Sequence, residues 1–596
     1  MASKPLLIFD GRCGFCRIWI NYWRQLTGSE LGYAPSQEVG PQFPEIASEK
    51  FSQSVLLVQP DGQVAEGAKA VFLSLMYAPG LRWLFWAYEH VPGFAAAAEA
   101  GYGLVARHRN FFYQVTRFTF GRRISVLRYA KTEWLFLRLL AAIYLIAFGS
   151  LAVQIEGLAG ARGILPVGRY LAAVQQSLGA RGYWLVPTIF WAAHTDTFLL
   201  AACVAGAAVS VVLMLGYLER LSLVCLYILY LSLSTAGQDF LSFQWDILLL
   251  ETGFLAIFLG GSFLGNSRVM VLLFRWLLFR LMFLSGAVKL LSHDPSWRNL
   301  SAMSFHYLTQ PLPTPLAWYM YQLPFGFQRV STAMVFVVEL AVPFLFFGPR
   351  MWRFFAGFAT LALQALIFAT GNYTFFNLLA MTLCLFLFDD AALSKLKIPL
   401  RLRAARTHRA VVASIAVFVL LVSGVELWEM LFSDSPEPIS ITRAVAPFDV
   451  VNTYGLFAVM TTTRPEIIVE GSNDGVTWLD YKFPFKPGDL RVAPRWAAPY
   501  QPRLDWQMWF AALSNYRNSP WFGNFMVRLL QGSPEVLALL ASNPFPSAPP
   551  KYVRAQLFDY SFTDFAERRA TGDWWKRRPL GLYFPAISLA DVQTVP

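Results

Sequence analysis

Residues 134–154 read WLFLRLLAAIYLIAFGSLAVQ, a run in which Arg138 is the only charge. A helix rises about 1.5 Å per residue, so this stretch is long enough for the roughly 30 Å of bilayer hydrocarbon. Comparable runs follow at 197–217, 219–236, 243–263, 269–291, 331–348, 353–371, 374–388 and 410–428. The segment 130–430 therefore reads as a polytopic α-helical transmembrane bundle of about nine spans. Composition agrees: 14% of the residues are charged and 56% are apolar, whereas soluble domains carry roughly 25% charged residues.

The net charge of +12 does not point to nucleic acid, because the basic residues sit in short clusters between apolar runs. Arg122, Arg123, Arg128 and Lys131 precede the first run. Arg350 and Arg353 separate the sixth from the seventh, and Lys395, Lys397, Arg401, Arg403, Arg406 and Arg409 precede the ninth. If every run crosses, all three clusters fall on one face, which the positive-inside bias makes cytoplasmic. Met1 to Leu7 lacks a basic region followed by a long apolar core, so the N-terminus is expected to stay in the cytoplasm. Nine crossings then put the C-terminal domain on the periplasmic or luminal face.

Two water-exposed units flank the bundle. Residues 1–120 read as α/β: a buried strand at Leu6 to Phe9, a Gly-containing turn, and a helix through Ile18 to Leu26. A second strand, Ser54 to Val58, turns at Pro60-Asp61-Gly62, and Gly67 opens another helix. Residues 433–596 read as a β-sandwich-like domain with helical additions. Ile467 to Gly471 and Thr477 to Tyr481 flank an Asp474-Gly475 turn, a hairpin signal. Leu504 to Leu513 has a helical period with Trp506 and Trp509 on one face.

The chemistry-bearing motif is Asp10-Gly11-Arg12-Cys13-Gly14-Phe15-Cys16, between strand and helix. Two cysteines two residues apart can close a disulfide within one helical turn. At a helix N-terminus the first is stabilised as thiolate, the attacking species in disulfide exchange. Arg12 and Arg17 are candidate supports for that thiolate. The competing readings are half of a zinc site, with no second Cys or His pair nearby, and a motif that only packs. No metal or other cofactor is expected. Cys203, Cys225 and Cys384 lie inside apolar runs, where lone cysteines are mostly inert packing residues.

Together with Gly67 to Val71 and Ala106 to Asn110, the 6–16 stretch resembles the DCC family of thiol–disulfide oxidoreductases. That resemblance implies a thioredoxin-like fold, catalytic Cys13 and Cys16, and a thioredoxin-type redox partner. No proline immediately precedes the 54–58 strand, where thioredoxin would have one.

Inside the apolar runs stand Gln244, Asp246, Glu251, Arg280, Lys289, Glu339 and Gln364. A charge at the bilayer centre costs about 2.5–3.5 kcal/mol on insertion scales, so these groups are expected to face one another. They either fix helix packing or line a polar cavity. The loop after the fifth run carries His293, Asp294 and His306, candidates for acid–base work or for structural hydrogen bonds.

Longer strings carry a second resemblance. They include Phe243 to Glu251, Ser285 to Lys289, His306 to Pro315, Thr370 to Asn377, Arg464-Pro465-Glu466 and Gln501 to Leu513. These are similar to the lipase maturation factor family, and the likeness covers nearly all of 130–590. Tyr500 stands where the family likeness would put a histidine. The resemblance implies a membrane-embedded folding factor for exported lipases, of the kind found in the endoplasmic reticulum of animals. The fused thiol domain suggests a bacterial inner-membrane member. Arg503, Asp505, Trp506 and Trp509 are then candidates for a client-facing surface, with membrane lipids and an exported client as partners. The spans also faintly resemble γ-carboxylase membrane domains. That keeps two alternatives open: an intramembrane enzyme acting on lipid or glutamyl groups, and a membrane-anchored cytoplasmic disulfide reductase.

Overall fold

The structure is a computed structural model and describes residues 4–122, 124, 127–259, 268–397, 409–432 and 439–593. Arg123, Arg401, Arg403, Arg406, the far end of the 243–263 run and the first residues of 433–596 lie outside the described residues, as does the side chain of Arg409. The chain divides into two compact units. One comprises Met1–Arg128, Phe347–Phe355 and Asp389–Leu396, and the other holds the remainder.

In the first unit, strand β1 (Leu6–Phe9) leads into the helix Gly14–Thr27 and then β2 (Gly32–Pro35). Strands β3 (Leu56–Val58) and β4 (Val64–Glu66) form the expected hairpin before the helix Gly67–Leu75. The sheet order is β2-β1-β3-β4, with β1 parallel to β2 and antiparallel to β3. Parallel neighbours need a crossover, and the helix carrying the cysteines supplies it. The inward residues Leu7, Phe9, Ile20, Leu31 and Leu57 form the core. In the same unit Arg350 donates two hydrogen bonds to Asp389, at 2.6 and 3.1 Å.

The second unit contains the C-terminal sheet and the membrane helices apart from Phe347 and Arg350–Phe355. Among the described residues seven helices are long and apolar enough to cross a bilayer: Ala130–Ala152, Asp196–Leu215, Glu219–Leu241, Arg268–Leu291, Phe325–Phe347, Arg350–Thr370 and Ala410–Phe432. The other two expected spans are short, a helix Gln244–Ile257 and the segment Phe376–Leu387. Close packing replaces side chains where helices approach. A Cβ at Gly206 would collide with the ring of Phe148, and one at Gly253 with the hydroxyl of Tyr144.

The C-terminal region is organised on β5 (Arg464–Ser472), β6 (Leu479–Asp480), β7 (Tyr552–Phe562) and β8 (Trp575–Ile587), all antiparallel in the order β6-β5-β7-β8. The expected hairpin is present. Asp474 accepts from the backbone N–H of Val476 and Thr477, at 2.8 and 2.7 Å, and Gly475 has φ +74°. The β-sandwich-like expectation is corrected: a single sheet is seen among the described residues. β5 is buried almost along its whole length, on both faces, and a helix rather than a second sheet packs on it. That helix, Arg503–Ala512, is buried on nearly every side.

Candidate functional site

The turn after β1 holds the thiols. Asp10 accepts from the backbone N–H of Arg12 and from Gln37 Nε2, at 3.0 and 2.9 Å. Gln37 Oε1 in turn accepts from Gly11 N–H at 3.0 Å. This fixes the loop so that Cys13 becomes the N-cap of Gly14–Thr27, its Sγ accepting from Cys16 N–H at 3.3 Å. Cys13 is brought down to about 6, first by the side-chain hydrogen bond from Cys16, then by that backbone N–H and the Arg109 guanidinium; burial and Asp10 oppose the shift. Cys16 is pushed up by the same hydrogen bond and by burial. The pair therefore separates into a thiolate and a thiol, the arrangement of an attacking and a resolving cysteine.

Both Arg12 and Arg17 are exposed. The cation that bears on both thiols is Arg109, from the helix Arg109–Phe120. It is held by the carbonyls of Ser52 and Gln53, at 2.8 Å for the former. A small apolar groove of about 60 Å³ opens beside Cys16 between Trp19, Trp23, Val55, Tyr102 and Arg109. Cys203 and Cys384 are buried.

The intramembrane polar residues do not form one cluster. Asp246, in the first turn of Gln244–Ile257, accepts from both terminal nitrogens of Arg503, at 2.8 and 3.0 Å, and from Tyr230 Oη at 2.5 Å. Both partners of this pair are fully buried. Glu251 pairs with Arg280 and accepts from Tyr454 Oη and Asn452 N–H, at 2.8 and 3.0 Å. Gln244 Oε1 accepts from Gly455 N–H at 3.3 Å. Lys289 pairs with Glu339 at 2.7 Å, and Gln364 Oε1 accepts from Asn377 Nδ2 at 2.7 Å. The expectation that carboxylates and cations of neighbouring spans face one another holds for Glu251–Arg280 and Lys289–Glu339. It is corrected for Asp246, whose cation comes from the C-terminal region.

The loop candidates separate too. His293 is exposed, has φ +59° and pairs with Arg298. Asp294 caps Pro295–Arg298 by accepting from Ser296 N–H at 2.6 Å and also accepts from Met460 N–H at 2.7 Å. The two neighbours are thus not an acid–base pair. His306 is buried, with Nε2 3.5 Å from Tyr373 Oη, and burial together with Lys289 lowers it to about 4.

Arg503, Asp505, Trp506 and Trp509 are between 1% and 8% exposed, so they belong to the interior and not to a client-facing surface. The reason is the contact with the membrane helices. Trp506 packs edge-on to Trp245 at 4.6 Å, and Trp509 Nε1 donates to Thr309 O at 2.9 Å. Asp505 is turned the other way, accepting from Phe485 and Lys486 N–H, each at 2.8 Å.

Sequence reasoning missed two further residues. Arg464, fully buried on β5, donates to the carbonyls of Leu308 and Pro311, at 2.6 and 2.8 Å, and pairs with Glu466. Asn372 accepts from Ala497 and Ala498 N–H and donates to Leu312 O and Arg495 O. The available signal was their position inside long polar–aromatic strings.

Residues 131–395 match the lipase maturation factor transmembrane domain, residues 450–585 match the lipase maturation factor C-terminal domain, and residues 7–115 match the DCC1-like thiol-disulfide oxidoreductase. Lipase maturation factor 2 of Gallus gallus is 37% identical over 77% of this chain and 81% of its own length. For lipase maturation factor 1 of Bos taurus the values are 36%, 78% and 91%, and for human lipase maturation factor 2 they are 34%, 77% and 82%. No solved structure matches.

Proposed function

Because the chain belongs to the lipase maturation factor family and carries a DCC1-like domain, we propose that it is a multi-pass membrane maturation factor for exported proteins, lipases foremost, with a thiol–disulfide exchange module at its N-terminus. The client class rests on the relatives' name. The exchange chemistry rests on one observation, the capped Cys13 brought down to about 6 beside a protonated Cys16.

In that chemistry the Cys13 thiolate attacks one sulfur of a partner's disulfide, and the other sulfur leaves as thiolate. Cys16 then gives up its proton and attacks the mixed disulfide. The partner departs as a dithiol, while Cys13 and Cys16 are left as a disulfide. A thioredoxin-type dithiol partner reverses the two-electron oxidation. Arg109 holds charge opposite the thiolate, and the apolar groove beside Cys16 offers a surface for the incoming peptide.

For the topology we propose nine crossings, the N-terminal module on the cytoplasmic face and the C-terminal domain on the export side, in a bacterial inner membrane. Charge clustering supports the orientation. Two contact patterns support the count. Arg350 opens one long helix, and its partner Asp389 stands 39 positions later, so the chain leaves and returns through Phe376–Leu387. Gln244–Ile257 begins beside Arg503, whereas the following long helix bonds through Arg275 to Tyr129 Oη, which precedes the first span. Fourteen residues rise only about 21 Å, and the far end of this run lies outside the described residues.

Alkylation of Cys13 in intact cells by membrane-permeant and membrane-impermeant reagents tests topology and chemistry together. Labelling by the permeant reagent alone, with loss of lipase maturation in Cys13→Ser, is the expected result. Labelling by the impermeant reagent overturns the orientation, and full maturation by Cys13→Ser overturns the exchange role.

A further inference from the structure

A cavity of about 490 Å³ lies within the membrane helices, bounded by Arg268–Leu291, Phe325–Phe347, Arg350–Thr370 and the loop around His306. That volume falls within the roughly 300–1,000 Å³ of sites that hold small molecules. Its walls are largely apolar. On one side it is bordered by Val330, Met334 and Leu366, which are 63%, 53% and 60% exposed and belong to two membrane-crossing helices. The cavity therefore opens laterally, between two membrane-crossing helices.

The polar groups of the cavity are few and specific. Lys289 and Glu339 are paired at 2.7 Å, so the wall offers no net charge to hold a phosphate or carboxylate. Glu339 sits in a π-helical turn, Val337–Ala341, a distortion frequent at functional sites. Asn377 is 1% exposed and lines the cavity. Its Nδ2 donates to Gln364, but its buried Oδ1 has no hydrogen-bond partner among the described residues. Gln364 Nε2 has only the sulfur of Met282, at 3.6 Å, among the described residues. A buried amide left unsatisfied costs free energy, and a ligand hydroxyl satisfies either amide orientation, since it both donates and accepts.

We propose that this cavity binds an uncharged membrane lipid: a single long hydrocarbon chain ending in a hydroxyl, admitted between Phe325–Phe347 and Arg350–Thr370, with the hydroxyl on the Asn377–Gln364 amides. This site is separate from the thiols and does not depend on exchange chemistry. It gives the membrane domain a ligand of its own.

The test uses the full chain in phosphatidylcholine nanodiscs and a long-chain fatty alcohol bearing a diazirine. Photolabelling is expected in peptides from Phe325–Phe347 and Arg350–Thr370. It should fall about tenfold with the matched alkane, which lacks the hydroxyl, and by a similar factor in Asn377→Leu and in Ala362→Trp, which plugs the mouth. Should either variant fail to fold, the alcohol-against-alkane comparison on the unaltered chain still decides. Equal labelling by the alkane, label spread evenly over other lipid-facing helices such as Asp196–Leu215, or equal competition by an anionic fatty acid each overturns the proposal.

Discussion

Replacing Asp246 with asparagine removes the charge opposite Arg503 while keeping size and shape. The Arg503 side chain has no exposure, and its acceptors are the two carboxylate oxygens, Phe240 O at 2.6 Å, Gln501 Oε1 at 2.7 Å and Tyr230 Oη at 3.5 Å. At an effective dielectric constant near 20, opposite unit charges about 2.8 Å apart attract by about 6 kcal/mol. The three neutral acceptors remain in the variant and offset part of this. Breaking a buried pair from one side typically costs about 3–5 kcal/mol, and Asp246→Asn should fall there. Arg503→Gln should cost less, because a carboxyl can be neutralised by a proton from water and a guanidinium cannot. The double variant carries two neutral amides that can bond to each other, so it should recover about 2–3 kcal/mol relative to the sum of the singles. The assay is unfolding in mixed micelles on titration with sodium dodecyl sulfate, followed by tryptophan fluorescence, for all four members of the cycle. Costs that simply add, or an Asp246→Asn protein within about 0.5 kcal/mol of the original, would refute the view that this pair holds the C-terminal region to the membrane helices.

Cys13 should react with iodoacetamide along a pH profile with its midpoint near 6, and Cys16→Ala should move that midpoint up towards the ordinary thiol range near 8.5, since the lost hydrogen bond is the largest cause of the lowering. A second pH effect belongs to Asp505, which burial pushes up from 3.8 to about 6 against the two backbone N–H groups it accepts from. The folded chain binds that proton more tightly than the unfolded one. This stabilisation is complete below about pH 4 and lost as pH rises through 6, at most about 3 kcal/mol; Asp505→Asn should abolish the decline, as read by denaturation at both ends of the range. Gly206→Leu forces a side chain into the Phe148 ring and should destabilise the Ala130–Ala152 and Asp196–Leu215 pair by about 1–3 kcal/mol, seen as earlier unfolding in the same micelle titration.

What was legible in the sequence was local. The strand–turn–helix around Cys13 and Cys16, the Asp474-Gly475 hairpin and the 503–512 helix are each encoded within a dozen residues, and each is found where the pattern puts it. Pairing was not legible. Arg109 reaches the thiols from nearly a hundred positions away, so the nearer Arg12 and Arg17 looked more promising. Asp246 and Arg503 are 257 positions apart, and no periodicity links them. The expectation that intramembrane charges satisfy one another assumed that lipid-facing helices pack only among themselves. One signal was available in the 503–512 helix: it is apolar and aromatic around most of its circumference, with Arg503 and Asp505 inside that surface. A helix without a polar face is buried, and its charges then require partners elsewhere in the fold.

Several buried polar contacts join the C-terminal region to the membrane helices and their loops. Arg503 reaches Asp246, Asn452 and Tyr454 reach Glu251, Arg464 reaches the carbonyls of 308–311, and Asn372 binds the 495–498 backbone. Packing of apolar helices in lipid gains no hydrophobic driving force, so a region seated on them needs directional contacts to fix its register. Buried charges serve that end at a cost in stability when either side is missing. A chain cut before residue 433 would leave the Asp246 carboxylate without its cation and Glu251 with Arg280 alone. The isolated C-terminal region would in turn expose Arg464 and Arg503 together with Trp506 and Trp509. Neither half should therefore behave as an independent domain, and co-expressing the two halves should restore soluble-side protease resistance that neither shows alone. Resistance of the isolated 433–596 fragment equal to that of the full chain would mean that these contacts are incidental to a region that folds by itself.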